Sequence, residues 1–281
     1  MIIIIITTRT RIQLFQKHQV SVFAGVPTMY WALLHHQSDN LSDAAITKHL
    51  RMCASGGASL PVKVLHEFEA RFKVPVTEGY GMSEGSPIVT FNQHAVGRKP
   101  GSIGTPVWGV EVKITDKDGN ELPVGEKGEL WYRGHNVMKG YYKLPVATAQ
   151  VLTNGWLHSG DIAVKDADGF YFIVDRTSDM IIRGGKNVYP REVEDAMMRH
   201  EAVSLVAVVG VPHEELGEEI KAFVVLKQHA SATPEELVSW TKEQIASYKY
   251  PRQVQLVETL PMTATGKILK KELRKKNTMS Q

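Results

Sequence analysis

The sequence has almost no cysteine, little net charge and no long apolar run. Cys53 is the only cysteine among the 281 residues, so no disulfide can form within the chain, and a reducing, cytoplasmic setting fits. The net charge of +3 argues against a dedicated nucleic-acid-binding protein, because such proteins concentrate basic residues. Hydrophobic residues make up 43% and charged residues 22%, which is the usage of an ordinary folded protein and argues against disorder.

The most apolar stretch consists of the five isoleucines that follow Met1. A membrane-spanning helix needs about 20 residues. A secretory signal needs about 7–15 apolar residues after a basic leader, and this run has neither feature. Because β-branched residues suit pleated sheet, we expect a buried β-strand here. A chain that begins in a core strand suggests that a segment precedes it.

The patterning of the chain predicts three regions. Up to residue 95, short apolar strands alternate with helical segments, which predicts part of a parallel α/β sheet. Residues 96–175 are rich in glycine, proline and Asp-Gly turns between alternating segments, which predicts a small antiparallel sheet or β-barrel. Residues 180–281 mix helices and strands, which predicts a compact α+β unit.

Two of the predicted helices have clear local signals. The segment after Pro61 places Val64, Leu65 and Phe68 on one face, so that face should be buried. The segment from Thr233 has threonine at the N-cap, proline at the first helical position and glutamate at the third. This arrangement is typical of a capping box at a helix start.

The segment TEGYGMSEGSP, residues 77–87, places three glycines around Tyr80 and then sets Ser83 beside Glu84. Glycine lets the backbone approach a ligand closely. A serine hydroxyl can donate to a phosphate oxygen, and a glutamate can bind Mg²⁺, which prefers oxygen ligands that it shares with substrate phosphates. The segment therefore predicts a site for a nucleotide phosphate and its metal. The alternative is a tight surface turn after a strand.

Three other segments carry related chemistry. SGGASL, residues 55–60, is a second glycine-rich turn. GWLHSGD, residues 155–161, ends in a carboxylate that can accept hydrogen bonds from both hydroxyls of a ribose, although a β-turn aspartate is the alternative. Its His158 can either contact a nucleotide or have a structural role. Lys267 lies in a Gly/Thr turn before a helix, where the alternative is a solvated surface charge.

Together and in this order, these segments resemble the adenylate-forming (AMP-binding) superfamily of acyl-CoA synthetases, beetle luciferases and peptide-synthetase adenylation domains. The resemblance extends from about Arg11 to Lys276. The resemblance is strongest to fatty and aryl acyl-CoA ligases, among them long-chain fatty-acid–CoA ligases. It implies an α/β plus α+β fold: residues 1–175 would be the C-terminal portion of the large AMP-binding domain, and 180–281 a small mobile C-terminal domain. A hinge at 176–179 would join them.

The resemblance implies a ligase that uses ATP to activate a carboxylate, such as a fatty acid, and then transfers the acyl group from AMP to coenzyme A. ATP, AMP, Mg²⁺ and coenzyme A would be its cofactors and substrates. The residues implied to surround the nucleotide are Gly56, Gly57, Ala58, Glu78, Gly79, Tyr80, Gly81, Ser83, Asp161, Arg176 and Lys267.

The resemblance also implies individual roles. Ser83 would bond the α-phosphate, Glu84 would hold Mg²⁺, and Lys267 would reach the carboxylate and the α-phosphate, so these three are the implied catalytic residues. Asp161 would bind the ribose hydroxyls with Arg176 beside it, while Glu78, where many relatives have an amide, would flank the adenine with Gly79 and Tyr80. The residues implied to face the pantetheine of coenzyme A are Gly184, Gly185 and Lys186. Ser178 stands where the hinge usually has Asp or Lys.

One family feature is missing from the sequence. We find no Ser/Thr/Gly-rich loop ending near a lysine, which in the family holds the β- and γ-phosphates. The resemblance therefore predicts a C-terminal fragment and leaves its activity open. The alternatives are a non-catalytic AMP- or acyl-CoA-binding module and an acyl-AMP ligase that loads a carrier protein. A homodimer and a membrane contact through the basic tail also stay open, as does the acyl chain length; the tail residues are Lys270, Lys271, Arg274, Lys275 and Lys276.

Overall fold

The computed structural model describes residues 8–36, 43, 47–93, 97–263 and 267–278. The isoleucine run lies outside these residues, so the strand predicted there is not tested. The chain divides into two compact units, one up to Ile173 and one from Val174 onward, with Lys267 grouped with the first. The predicted domain limits and the hinge stay predictions.

The first unit begins with a five-stranded sheet. Its strands, in spatial and chain order, are β1 (Val22–Gly25), β2 (Met52–Ser55), β3 (Val76–Gly81), β4 (Ile88–Phe91) and β5 (Thr105–Pro106). The first three strands run parallel, and β4 and β5 add to them in antiparallel fashion. The predicted parallel α/β portion is therefore confirmed, with an antiparallel extension.

The helices with fully described bounds beside this sheet are α1 (Thr8–His18), α2 (Pro27–Leu34) and α3 (Val62–Phe72). The apolar face predicted for α3 is buried, with Val64, Leu65 and Phe68 at most 3% exposed. The Tyr30 hydroxyl of α2 donates to the Ala54 carbonyl at 2.7 Å, which ties this helix to β2. The carboxyl ends of parallel strands lie at one edge of a sheet, where α/β proteins commonly bind ligands.

A second sheet in this unit is antiparallel, as predicted. Its elements are β6 (Val110–Thr115), β7 (Lys127–Gly134), α4 (Pro145–Val151), β8 (Leu152–Thr153), β9 (Trp156–Lys165) and β10 (Tyr171–Arg176). The strand order is β10-β9-β7-β6, and β8 pairs with β9. Alternating apolar residues from these strands fill one core, which includes Val110, Ile114, Leu130, Tyr132, Leu157 and Tyr171.

The second unit is the α+β unit expected. Its elements are β11 (Ile181–Arg183), β12 (Lys186–Val188), α5 (Pro190–Met197), β13 (Val203–His213), β14 (Gly217–Leu226), α6 (Pro234–Gln244), β15 (Gln253–Leu256) and α7 (Lys270–Thr278). The strand order is β12-β11-β14-β13, and β15 pairs with β14 in parallel. The face of α5 formed by Val193, Ala196 and Met197 is fully buried.

Charged side chains tie the helices of this unit together. Asp175 accepts a hydrogen bond from the Arg191 backbone in the first turn of α5 at 2.9 Å, and burial raises the pKa of its carboxyl. Lys270 pairs with Glu194 at 2.7 Å, and Arg274 pairs with Asp179 at 2.8 Å. Helix α7 is thereby fixed to α5 and to the turn before β11.

Among the described residues, no helix is long and apolar enough to cross a membrane.

The capping box predicted at Thr233 is present and gives a stability test. The Thr233 hydroxyl accepts from the Glu236 backbone at 3.2 Å, and the Glu236 carboxylate accepts from the Thr233 backbone at 2.8 Å. We expect Thr233→Ala to lower the free energy of unfolding by about 1 kcal/mol, because an N-terminal donor of α6 loses its acceptor. Denaturant titration measures this, and Thr233→Ser, which keeps the hydroxyl, is the control. Equal losses in both variants would contradict the assigned cap.

Candidate functional site

Two glycine-rich segments meet at the carboxyl-terminal edge of the parallel strands. The Gly56 backbone, just after β2, donates to the Gly25 carbonyl at the end of β1 at 3.2 Å. Gly57 follows with a φ of +79°, a conformation that favours glycine. Ser55 of β2 pairs with Glu78 of β3, so the residues after each of them lie side by side. The predicted residue Gly56 is therefore near Gly79, and the predicted Gly57 and Ala58 follow it along the chain.

The glycines of β3 are required by close packing. A Cβ atom at Gly79 would lie 2.5 Å from the Phe91 ring, and one at Gly81 would overlap the carbonyl oxygen of Pro87. Both glycines pair with β4, which returns directly across the segment. Glycine at these two positions therefore allows the backbones of β3 and β4 to lie close together. The side chain of Tyr80, between the two glycines, contacts Asp161.

Tyr80 contacts Asp161, the last residue of the GWLHSGD segment. The Tyr80 hydroxyl donates to Asp161 Oδ2 at 2.5 Å, across 81 positions of sequence. Asp161 is only 4% exposed. Burial, and then the negative charge of Asp161, raise the pKa of Tyr80, so the phenol stays protonated and remains a donor. The contact brings together the segments 77–87 and 155–161, which are both predicted to bind one nucleotide.

The Ser83–Glu84 turn is held in place by residues that follow β7. Ser83–Gly85 forms one turn of 3₁₀ helix, with Ser83 exposed and Glu84 half-buried. The Tyr141 hydroxyl donates to Glu84 Oε1 at 2.9 Å. The Glu84 carbonyl accepts from the Met138 backbone at 2.8 Å, and the Asn136 side chain donates to the Gly85 carbonyl at 3.0 Å. The turn therefore presents a serine hydroxyl beside an oriented carboxylate.

Glu78 has an additional structural contact that the sequence does not reveal. Its Oε2 accepts from the Gly101 backbone at 3.0 Å, and its carbonyl accepts from the Asn92 backbone at 2.9 Å. The residue is 6% exposed. A role beside adenine stays a prediction, and the carboxylate also organises the loop that ends at Gly101.

His158 has contacts typical of a structural residue. Its ring stacks on Trp131 with centroids 3.6 Å apart and planes 9° from parallel. Burial lowers the pKa of His158, which favours the neutral ring that this stacking suits. Glu129 accepts from the Trp131 indole at 3.0 Å and from the Gly160 backbone at 2.9 Å, which fixes the strand ahead of Asp161. These contacts therefore support a structural role for His158 rather than a contact with a nucleotide.

The remaining predicted residues belong to β10 or to the second unit. Arg176 ends β10 and is exposed, and Ser178 lies exposed in the turn that follows. Gly184 and Gly185 form the tight turn between β11 and β12, with φ of +54° and +74°. The Lys186 ammonium lies 4.7 Å from the centre of the Tyr248 ring.

Lys267 is exposed at the end of a closed loop. A bridge between Met262 and Ile268 closes this loop, and the Leu269 backbone donates to the Pro261 carbonyl at 2.8 Å. The other residues of its Gly/Thr turn, 264–266, lie outside the described part of the chain. The structure therefore does not test whether Lys267 reaches the nucleotide.

Glu84 is the carboxylate best suited to a metal ion beside a phosphate. No group of three or more His, Cys, Asp or Glu side chains that could hold a metal occurs in the part of the chain that the structure describes. Mg²⁺ usually takes only one or two protein carboxylates and shares its other positions with phosphates and water. A single half-buried carboxylate, oriented by Tyr141, fits that requirement.

Comparison with known proteins places the chain in a family. The model of the AMP-binding enzyme family matches residues 2–142, which is half of the chain, and the model of the AMP-binding enzyme C-terminal domain matches residues 192–267.

Two curated proteins that are similar to this chain are named for different carboxylic acids. A long-chain-fatty-acid–CoA ligase of Bacillus subtilis (strain 168) is 42% identical over 268 residues, covering 95% of this chain and 47% of that protein. A feruloyl-CoA synthase of Amycolatopsis sp is 40% identical over 262 residues, covering 93% of this chain and 52% of that protein. The chain thus spans about half the length of the curated relatives that it matches.

A solved structure has the same fold. ATP-bound MatB from Rhodopseudomonas palustris superposes with a TM-score of 0.89 at 34% identity, over 96% of this chain and 53% of that one. Fold, motif order and family models agree, and the chain belongs to the AMP-binding enzyme family.

Proposed function

We propose that the chain supplies the adenylate-binding part of a carboxylate–CoA ligase that acts through an acyl-adenylate. The observation that carries the proposal is the 2.5 Å bond between Tyr80 and Asp161. It brings a buried carboxylate, suited to a ribose, next to the strand that leads into the Ser83–Glu84 turn, suited to a phosphate. Sugar and phosphate of one AMP molecule would then be bound by groups on one rigid unit.

The described residues support specific roles in the first unit. A carboxylate has about four acceptor positions, so Asp161 can accept from Tyr80 and from ribose hydroxyls at the same time. The exposed Ser83 hydroxyl would donate to the α-phosphate. Glu84 would hold Mg²⁺, which supplies positive charge against the phosphate oxygens when bound. Tyr141 would keep the Glu84 carboxylate oriented toward that position.

Residues in the C-terminal part of the chain would supply a cation and the thiol-binding surface. Negative charge develops on the α-phosphate during adenylate formation, and a positioned ammonium such as that of Lys267 stabilises it. The Gly184–Gly185 turn and Lys186 would lie along the pantetheine of coenzyme A. Ser178, exposed in a turn, would act as the hinge.

For the carboxylate we propose a fatty acid. The support is the name of the Bacillus subtilis relative, at 42% identity, while the feruloyl-CoA synthase at 40% identity makes an aromatic acid the main competitor. Coenzyme A is the proposed acceptor in both cases, and a carrier-protein thiol is the alternative acceptor.

A second candidate is a module that binds AMP or an acyl-CoA without catalysing ligation. The observation that favours it is the lack of a Ser/Thr/Gly-rich phosphate loop in these 281 residues. Such a module would keep the contacts to ribose and α-phosphate and would have weak affinity for pyrophosphate. The two candidates share the AMP site and differ in whether ATP is cleaved.

The AMP site is tested by Asp161→Asn. We expect this change to weaken AMP binding by about 10–100-fold, because hydrogen bonds to a charged acceptor contribute about 1.5–3 kcal/mol. Isothermal titration calorimetry with AMP measures the affinity. Asp168→Asn is the matched control, because Asp168 is an exposed carboxylate in the turn between β9 and β10 that pairs with Lys99. Equal AMP affinity in Asp161→Asn and wild type would contradict the ribose contact.

Catalysis is tested by ATP–pyrophosphate exchange with long-chain and aromatic acids. For a ligase, we expect fatty-acid-dependent exchange that falls by about 100-fold or more in Lys267→Ala, because the ammonium stabilises charge only in the transition state. Thioester formation from preformed acyl-adenylate should change little in the same variant.

Other outcomes of the same assay decide between the candidates. AMP binding without any exchange would favour the binding module. Exchange that persists without loss in Lys267→Ala would contradict the role of this lysine. Lys271→Ala, which removes an exposed lysine of α7, is the control for a general effect of charge.

A further inference from the structure

A buried tyrosine beneath the Ser83–Glu84 turn has no role in the proposal so far. Tyr132, in the middle of β7, is 0% exposed, and its ring packs in the core of the antiparallel sheet. Its hydroxyl has no hydrogen-bond partner among the residues that the structure describes. An unpaired buried hydroxyl costs about 1–3 kcal/mol, so phenylalanine would serve the core better.

The hydroxyl lies directly against the turn. A Cβ atom at Gly85 would lie 2.8 Å from the Tyr132 hydroxyl oxygen, so the turn requires glycine at this position. The preceding residue is Glu84, and burial, followed by the negative charge of Glu84, raises the pKa of the Tyr132 hydroxyl. Gly85 itself is buried, whereas Ser83 and Ser86 on either side of the Glu84–Gly85 pair are exposed.

The Tyr132 hydroxyl is also able to donate. An ordinary phenol has a pKa of about 10, so it keeps its proton at neutral pH. In the free protein Glu84 accepts from Tyr141 on the other side, through Oε1 at 2.9 Å. A carboxylate can accept from two phenols at once, one at each oxygen.

The geometry points to Tyr132 as a positioning residue for Glu84: in the complex with nucleotide and Mg²⁺, the Tyr132 hydroxyl donates to the Glu84 carboxylate, which is then held between Tyr132 and Tyr141. This inference rests on the proposed function, because it needs a ligand at Glu84. The unpaired Tyr132 hydroxyl lowers the stability of the free protein, and only in the complex does its hydrogen bond to Glu84 offset this loss. Tyr132 would therefore strengthen binding at the expense of the free protein's stability.

The test is Tyr132→Phe, which removes only the hydroxyl. We expect AMP affinity in saturating Mg²⁺ to fall about tenfold, the effect of one hydrogen bond to a charged group. Without Mg²⁺ the affinity should change by less than about twofold, since Glu84 then has no cation to hold. The melting temperature of the free protein should rise by about 2–4 °C, because an unpaired buried hydroxyl is gone.

Tyr171→Phe is the matched control. Tyr171 is also a buried phenol of the antiparallel sheet, but its hydroxyl donates to the Val112 carbonyl at 2.9 Å. Its removal should lower the melting temperature and leave AMP affinity unchanged. If Tyr132 had only a structural role, Tyr132→Phe would leave AMP affinity unchanged, as Tyr171→Phe should, so the AMP affinity of the two variants distinguishes the two roles.

A second variant tests the geometry. Gly85→Ala should lower the melting temperature of the wild type more than that of Tyr132→Phe, because the added methyl group collides with the hydroxyl. Equal losses in the two backgrounds would overturn the placement of Tyr132.

The remaining outcomes separate the inference from the proposed function. A wild-type chain with no AMP affinity overturns the proposed function and this inference with it. A wild-type chain that binds AMP, with Tyr132→Phe binding equally well in Mg²⁺, overturns the inference alone. So does an equal loss with and without Mg²⁺, or a melting temperature that falls in Tyr132→Phe.

Discussion

The hydrogen bond between Tyr80 and Asp161 is the interaction on which the candidate site depends. A carboxylate that is 4% exposed needs a partner, because burying an unpaired charge is very costly. The Tyr80 hydroxyl supplies that partner from the last parallel strand, and the bond joins the first sheet to the antiparallel one. Since Asp161 is buried and Tyr80 is half-buried, the hydrogen bond fixes their relative position before any ligand arrives, which lowers the entropic cost of binding.

The rest of the site is built around this constraint. Gly79 and Gly81 allow β4 to pack closely against β3. The Ser83–Gly85 turn that joins these two strands lies against Tyr132 of the antiparallel sheet. Residues after β7 then bind that turn through the Glu84 carboxylate and the Gly85 carbonyl. The buried aspartate thus lies on strand β9, and the serine hydroxyl and the carboxylate lie on a 3₁₀ turn that several hydrogen bonds hold in place. Such support is what a site for a charged ligand requires.

Much of the fold could be predicted because its signals are local. The apolar face of α3, the capping box at Thr233 and the Asp-Gly hairpins are each encoded within a few residues, and all are present. The motifs draw attention to Asp161 and to the glycines of β3. Tyr141 and Tyr132 were missed, because each contacts a turn about 50 residues away along the chain. A tyrosine within a strand, such as Tyr132, indicates only core packing. The same applies to the contact of Glu78 with Gly101.

The measurement that tests this account most directly is a crystal structure of the chain grown with AMP and Mg²⁺. The account predicts both ribose hydroxyls within hydrogen-bond distance of Asp161, the phosphate at the Ser83 hydroxyl, and the Tyr80–Asp161 bond retained. AMP bound elsewhere, or bound at this edge with the ribose turned away from Asp161, would contradict it.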